Sequence, residues 1–406
     1  MTFRRARRCT LFFVMTAAAL MSLVPAPDDP LTLLFILALV SLFTVNLVEF
    51  LSCPVMEFRL ADTFLVGFLL LCLFSYFTAY SFGTSFADWT RAAVPFGFMA
   101  FFWLVRIDDK DDVTFAIDAI LTSCLIWSIK IVFVSAYAFL DDQSNILSRL
   151  TFATVDAALP FGIIGCICSL YLSGGIYVRF RYLMFIYFLV FVIAVGYRAQ
   201  IFILLCVMGA YLFELQWRNR LIFLSILLAS LAVGSVALRD VPAVALLSER
   251  IVNIGEDSAD SARQLERKFG LAQFYESPIV GKGLGFQVPA ELSFNDDIAA
   301  LLSTTDRDTV GYLHNILVYL LMDLGLVGLT LYSSYWIAVL FARHRVVEGR
   351  TTRGLIAVIL GMGAFFMTSA SFRSIQTVVL MSVCAAALTA SKQRVTRALN
   401  RAVSLA

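Results

Sequence analysis

The chain has 406 residues, of which 60% are hydrophobic and 15% charged, and its mean hydropathy is +0.87. Soluble domains run nearer 45–50% apolar and about 25% charged, so this composition excludes an ordinary soluble protein, a disordered chain and a disulfide scaffold. The net charge of +2 informs only when mapped by position.

In chain order, apolar runs fall near 9–24, 31–51, 62–80, 92–105, 114–139, 153–172, 182–197, 199–214, 221–238, 312–341, 354–370 and 374–390. A membrane-crossing helix needs about 20 such residues. A β-barrel would show short alternating segments instead. The first run follows a cluster of arginines and ends at Val24-Pro25-Ala26, as in a signal peptide, but Pro27 disfavours cleavage and an uncleaved first helix is expected. The runs at 182–197 and 199–214 together would make a helix of about 50 Å, too long for a hydrocarbon core of about 30 Å, so a hairpin at Gly196-Tyr197-Arg198 is predicted. The expected fold is therefore all-α: a polytopic transmembrane helix bundle of about twelve spans.

Basic residues sort to one side of this arrangement: Arg4, Arg5, Arg7, Arg8, Arg59, Arg106, Lys110, Arg179, Arg181, Arg218, Arg220, the arginines at 343–353 and those after 392. Short connections on the other side hold only Arg91, Arg149, Arg198 and Arg373. The positive-inside rule then puts both termini in the cytoplasm and the long polar stretch outside, which in a bacterial inner membrane is the periplasm. Helices 1–9 occupy 1–238, a periplasmic loop of short helices occupies 239–311, and helices 10–12 with a cytoplasmic tail occupy 312–406.

The eight cysteines lie in or beside apolar runs and read as small packing residues rather than as disulfide or zinc positions. Asp108, Asp109, Asp111 and Asp112 contain an Asp-x-Asp spacing, read first as a solvated turn capping the next helix. Asp306 and Asp308 form a second, read as solvated loop residues. Lys130 lies inside a span, where it either snorkels to the external face or lines an aqueous cavity.

In the loop, Asp257-Ser258-Ala259-Asp260-Ser261 supplies helix N-cap types before Ala262–Phe269. Arg263 and Arg267 are four apart and share a helix face, while Leu265, Phe269 and Ala272 make an apolar stripe to rest on the membrane domain. Two adjacent guanidiniums suit a pyrophosphate, although Glu266 and Glu276 offer them ordinary surface partners. Glu276-Ser-Pro-Ile-Val-Gly-Lys-Gly-Leu-Gly285 follows, with three alternating glycines permitting close backbone approach but no nucleotide-loop context. Lys282 lies within it. Gly311-Tyr-Leu-His-Asn315 then opens a long helix. Of the two histidines, His344 sits among cytoplasmic arginines, whereas His314 stands at the external mouth of a span, where an imidazole can act as a base.

Gly-Tyr-Arg at 196–198, Ser-Ala-Arg at 261–263, the proline–glycine segment at 276–285 and His-Asn-Ile-Leu…Asp-Leu-Gly-Leu-Val-Gly-Leu at 314–329 together resemble the O-antigen ligase/polymerase superfamily. The likeness is specific over about 196–330, with Asp323 where the family more often has Glu and Ile-Val where it has a Leu-Phe pair. It implies an inner-membrane glycosyltransferase that moves a glycan from undecaprenyl pyrophosphate to an acceptor hydroxyl on a sugar or lipid-linked glycan, without metal or other cofactor. His314, Arg198 and Arg263 match the family's essential positions and are the expected catalytic residues. Arg267, Arg91 and Lys282 are expected to bind the pyrophosphate, Arg91 being equally a structural interfacial arginine. Polymerase is slightly favoured over ligase, because the loop is compact and Asp323-Leu324-Gly325 resembles exopolysaccharide-type members. No nucleic-acid partner is expected. The alternative is a lipid-linked sugar flippase, against which the asymmetry about the long loop weighs.

Overall fold

The computed structural model describes residues 3–21, 29–52, 59–105, 107–141, 155–171, 174–195, 198–221, 224–225, 258–289, 309–310, 313–342 and 349–390. Its helices are α1 (Phe3–Leu20), α2 (Pro30–Ser52), α3 (Leu60–Ser81), α4 (Phe86–Gly97), α5 (Phe101–Leu104), α6 (Lys110–Asp141) and α7 (Val155–Tyr171). They continue with α8 (Arg181–Val195), α9 (Arg198–Glu214), α10 (Ser258–Glu276), α11 (Ile316–Leu340), α12 (Arg350–Phe366) and α13 (Ile375–Thr389). Among the described residues the one sheet is a minimal antiparallel pair, Val288–Pro289 with Thr309–Val310.

Among the described residues, four stretches are long and apolar enough to cross a membrane: Pro30–Glu49, Leu60–Ser81, Lys110–Phe133 and Ile316–Leu340. Several helices turn apolar side chains outward, as lipid-facing helices do. Leu33, Leu37, Val40 and Phe43 of α2, Leu73, Phe74 and Phe77 of α3, and Phe202 and Leu205 of α9 are all exposed. The bundle closes around α13, whose residues Gln376–Thr389 are all buried. Its run of Ser382, Cys384 and Ala385–Ala387 is small enough for neighbouring helices to approach closely.

The run at 182–214 is divided as expected, α8 ending at Val195 and α9 beginning at Arg198. The run at 92–105 is interrupted, because Pro95 sits inside α4 and a 3₁₀ turn at Phe98–Ala100 precedes α5. In the loop, α10 is a 19-residue helix. Most of the 221–238 run, loop residues 239–257 and 290–308 (with Asp306 and Asp308), Tyr197 and His344 lie outside the described residues.

The Asp108–Asp112 turn is more than a solvated cap. Asp109 Oδ1 accepts the Asp112 amide at 2.9 Å, as an N-cap does. The same aspartates also receive three arginines from α1. Arg7 Nη2 reaches Asp108 at 2.7 Å while its Nη1 reaches Glu49 of α2 at 3.0 Å; Arg8 Nε reaches Asp112 at 2.7 Å, and Arg4 pairs with Asp109. Arg7 is only 4% exposed. Lys130 is placed by the backbone: its Nζ donates to the Leu20 and Met21 carbonyls at 2.5 and 3.0 Å, capping the C-terminus of α1.

The proline–glycine segment docks into a break in α11. At Gly325 the backbone turns to φ 63°, ψ −163°, which interrupts the helix. In a continuous helix the amides of Leu326 and Val327 would bond the carbonyls of Met322 and Asp323. Instead Leu326 N donates to Pro278 O (2.9 Å) and Val327 N to Ile279 O (3.2 Å). The freed carbonyls of Met322 and Asp323 accept from Lys282 N and Gly283 N, both at 2.8 Å. A Cβ at Gly325 would meet Ile279 O at 2.3 Å, and one at Gly281 (φ 72°) would meet the Asp323 backbone at 2.4 Å. Three alternating glycines therefore serve backbone-to-backbone packing.

Gly325→Ala should consequently separate the loop segment from α11. We expect a loss of about 3 kcal/mol or more, read as a lower unfolding temperature of the purified chain, because the new Cβ meets rigid backbone at a positive φ. Gly363→Ala, where an added Cβ meets nothing within 4 Å, is the matched control.

Candidate active site

The α10 helix stops two residues before Pro278, and its buried face carries Phe269 and Gly270, with Leu265 and Leu271 packed against the core. Ala272, expected on this stripe, is exposed, and Gly270 takes the contact instead. A Cβ there would meet Val318 at 2.5 Å and Leu313 at 2.7 Å, so the glycine lets α10 lie directly against the start of α11. The two helices run alongside each other in the same direction: Glu266 is level with His314, Gly270 with Val318, and Ile279 with Val327.

Between them lies a cavity of ≈ 230 Å³, lined by Arg263, Gln264, Glu266 and Arg267 of α10, by Leu313, His314, Asn315 and Val318, and by Met367 and Thr368 after α12. Arg267 Nε donates to the carbonyl of the half-buried Arg263 at 3.2 Å, and both side chains line the cavity. His314 is held from α10. Its Nδ1 lies 2.9 and 3.1 Å from the two Glu266 carboxylate oxygens, and its amide donates to Glu266 Oε2 at 3.2 Å. Asn315 does the folding work of the His-Asn pair. Its Oδ1 caps α11 by accepting from Leu317 N and Val318 N at 3.0 and 3.1 Å, and its Nδ2 donates to Met367 O at 3.0 Å, drawing the α12–α13 turn into the cavity wall.

Of the six residues singled out from sequence, the cavity gathers Arg263, Arg267 and His314. Arg198 opens α9, and its side chain lies outside the described residues. Lys282 is elsewhere: the glycine clasp buries it, its Nζ bonds Glu276 Oε2 at 2.6 Å, and it stands 4.1 Å from the Phe82 ring centroid. Arg91 is 71% exposed and pairs with Asp88 one turn earlier at 3.0 Å, apart from the cavity lining. Glu266 and Glu276, expected on the arginines, bond His314 and Lys282 instead.

Glu266 is the cavity residue that sequence reasoning passed over. Its only signal was position, three residues after Arg263 and hence on the same helix face. Met367 and Thr368 carried no signal, since their place depends on how α12 and α13 meet α11.

The cavity offers two planar cations beside an imidazole braced by a carboxylate, a set suited to holding a di-anion while a proton is withdrawn from a neighbouring group. No curated protein matches the chain. Residues 183–333, which run from α8 into α11 and include both cavity arginines, Glu266 and His314, match the family model described as O-antigen ligase. Over that stretch the chain, whose apolar helices are those of a membrane protein, is similar to the O-antigen ligase family.

Proposed function

We propose that the chain is an inner-membrane glycosyltransferase that moves a glycan from a polyprenyl pyrophosphate to an acceptor sugar hydroxyl at its periplasmic face. The observation that carries this reading is the convergence on one cavity of Arg263 and Arg267 from α10 and of His314 from the entrance to α11. The guanidiniums hold the donor's pyrophosphate through paired charge-assisted hydrogen bonds. His314 takes the proton of the acceptor hydroxyl, the freed oxygen bonds to the anomeric carbon, and the carbon–oxygen bond to the pyrophosphate breaks. The electron pair leaves with the polyprenyl pyrophosphate, and Arg263 and Arg267 neutralise the charge that develops there. Arg198 would add a third cation from the start of α9. These residues need no metal to balance the leaving group. The acceptor favoured is a second lipid-linked glycan, making the chain a polymerase, on the compact loop and the Asp323-Leu324-Gly325 sequence.

His314→Ala should accumulate normally, since it sits at a helix entrance rather than in the core, and lose about 100-fold or more in glycan transfer. Arg263→Lys keeps the charge but not the planar fork and should lose about tenfold. A His314→Ala chain that still makes full-length polysaccharide would instead favour the flippase reading.

The orientation is tested separately. Cysteine at Tyr197 should react with a membrane-impermeant maleimide in intact spheroplasts; labelling only after lysis places the α8–α9 connection in the cytoplasm.

Transfer by the purified chain should proceed at an unchanged rate in excess chelator. Loss that magnesium or manganese restores would bring an aspartate-bound metal into the reaction.

A further inference from the structure

We propose that Glu266 is the positioning residue for His314, the two acting as a carboxylate–imidazole pair. The proposal rests on the reading of His314 as the base of the transfer reaction. One carboxylate grips a single residue at two points 48 positions away in sequence: the ring Nδ1, 2.9 Å from Oε2, and the backbone amide, 3.2 Å from the same oxygen. Holding both ring and main chain restricts the rotation of the side chain about both of its bonds. With Nδ1 donating to the carboxylate, Nε2 is the ring nitrogen that carries the lone pair, so Glu266 selects the tautomer as well as the orientation.

Electrostatics explain why a carboxylate belongs here. Among the described residues, the charged and titratable groups that line the cavity with His314 are Arg263, Glu266 and Arg267. When Nε2 takes the acceptor's proton, the ring becomes a third cation beside two guanidiniums, an arrangement that like-charge repulsion opposes. Glu266 lies directly against that ring. Its side chain is 12% exposed and that of His314 22%, so water screens the pair only weakly. The proton stays on Nε2 until the imidazole releases it, and Glu266 itself takes none. On helix spacing alone Glu266 would serve as a surface partner for Arg263 or Arg267; instead both of its oxygens lie at the imidazole.

The test measures steady-state transfer by the full-length chain with a lipid-linked donor, per folded molecule as judged by size exclusion. It compares Glu266→Gln, Glu266→Asp, His314→Ala and the Glu266→Gln/His314→Ala double variant. Glu266→Gln should lower kcat about 100-fold while leaving the donor KM within about twofold, because the guanidiniums that hold the donor are untouched. Glu266→Asp keeps the charge and should recover about tenfold of that loss. The double variant should match His314→Ala alone, since Glu266 acts through His314. A Glu266→Gln chain that transfers at the normal rate per folded molecule overturns the proposal, even if less of it accumulates. A double variant far below His314→Ala overturns it as well, because Glu266 would then act on its own. Normal transfer by His314→Ala is the distinct result that removes the underlying reading of the base.

Discussion

The hydrogen-bonding demand of broken backbone organises the half of this protein that carries the cavity. A helix that spans a membrane satisfies its own amides and carbonyls, and an interruption leaves groups that lipid cannot partner. At Gly325 two intrahelical bonds are lost, and residues 278–283 supply four in their place. The four bonds run backbone to backbone, so the segment must lie at near-contact distance. That closeness excludes Cβ atoms at Gly281 and Gly325, and the neighbouring Gly283 and Gly285 lie against the backbone of Ala79 and of Asp88 in the same way. The clasp joins the loop to α3, α4 and α11 at once. A flexible connection thereby becomes a fixed edge of the membrane domain.

From that edge the site follows by geometry. Because α10 ends where the clasp begins, its direction and depth are set by α11, and Gly270 lets the two helices touch. Glu266 is then level with His314, and Arg263 lies one turn further along the same face. The chemical groups come from two elements, while the walls come from a third, tied in by the bond from Asn315 to Met367. The work is divided between neighbours: His314 presents its ring to the cavity, and Asn315 spends its whole side chain on capping α11 and binding the α12–α13 turn.

The end of the bundle at the start of α1 is held by charge. Arg4, Arg7 and Arg8 of α1 meet Glu49 and the Asp108–Asp112 turn, joining the ends of α1, α2 and α6. The interior position of Arg7 and Asp112 makes this network unlike a surface ion pair, because breaking it would leave a buried charge with fewer partners. Arg59 plays a similar part at α13, donating to the carbonyl and hydroxyl of Thr389 at 2.9 and 2.6 Å. Basic residues whose distribution marks one face of the bundle thus also fasten helix ends.

Much of the architecture was legible in the amino-acid order, for a physical reason. Hydrophobic run length and charge spacing are local properties, and they are enough to mark apolar helices, the division at 195–198 and a helix bearing Arg263 and Arg267 on one face. The alternating glycines announced close approach without saying to what. Partner choice, by contrast, is not local. Whether Glu266 meets an arginine one turn away or a histidine 48 positions on depends on how α10 lies against α11. The same holds for Lys282, a cation suited on paper to an anionic donor, which the clasp turns toward Glu276 and Phe82. Sequence alone therefore determined which residues are chemically suited to a site at a helix entrance. Only the packing of the loop into the break in α11 decided which of them meet, because side-chain pairing over long separations is set by backbone contacts that no local pattern records.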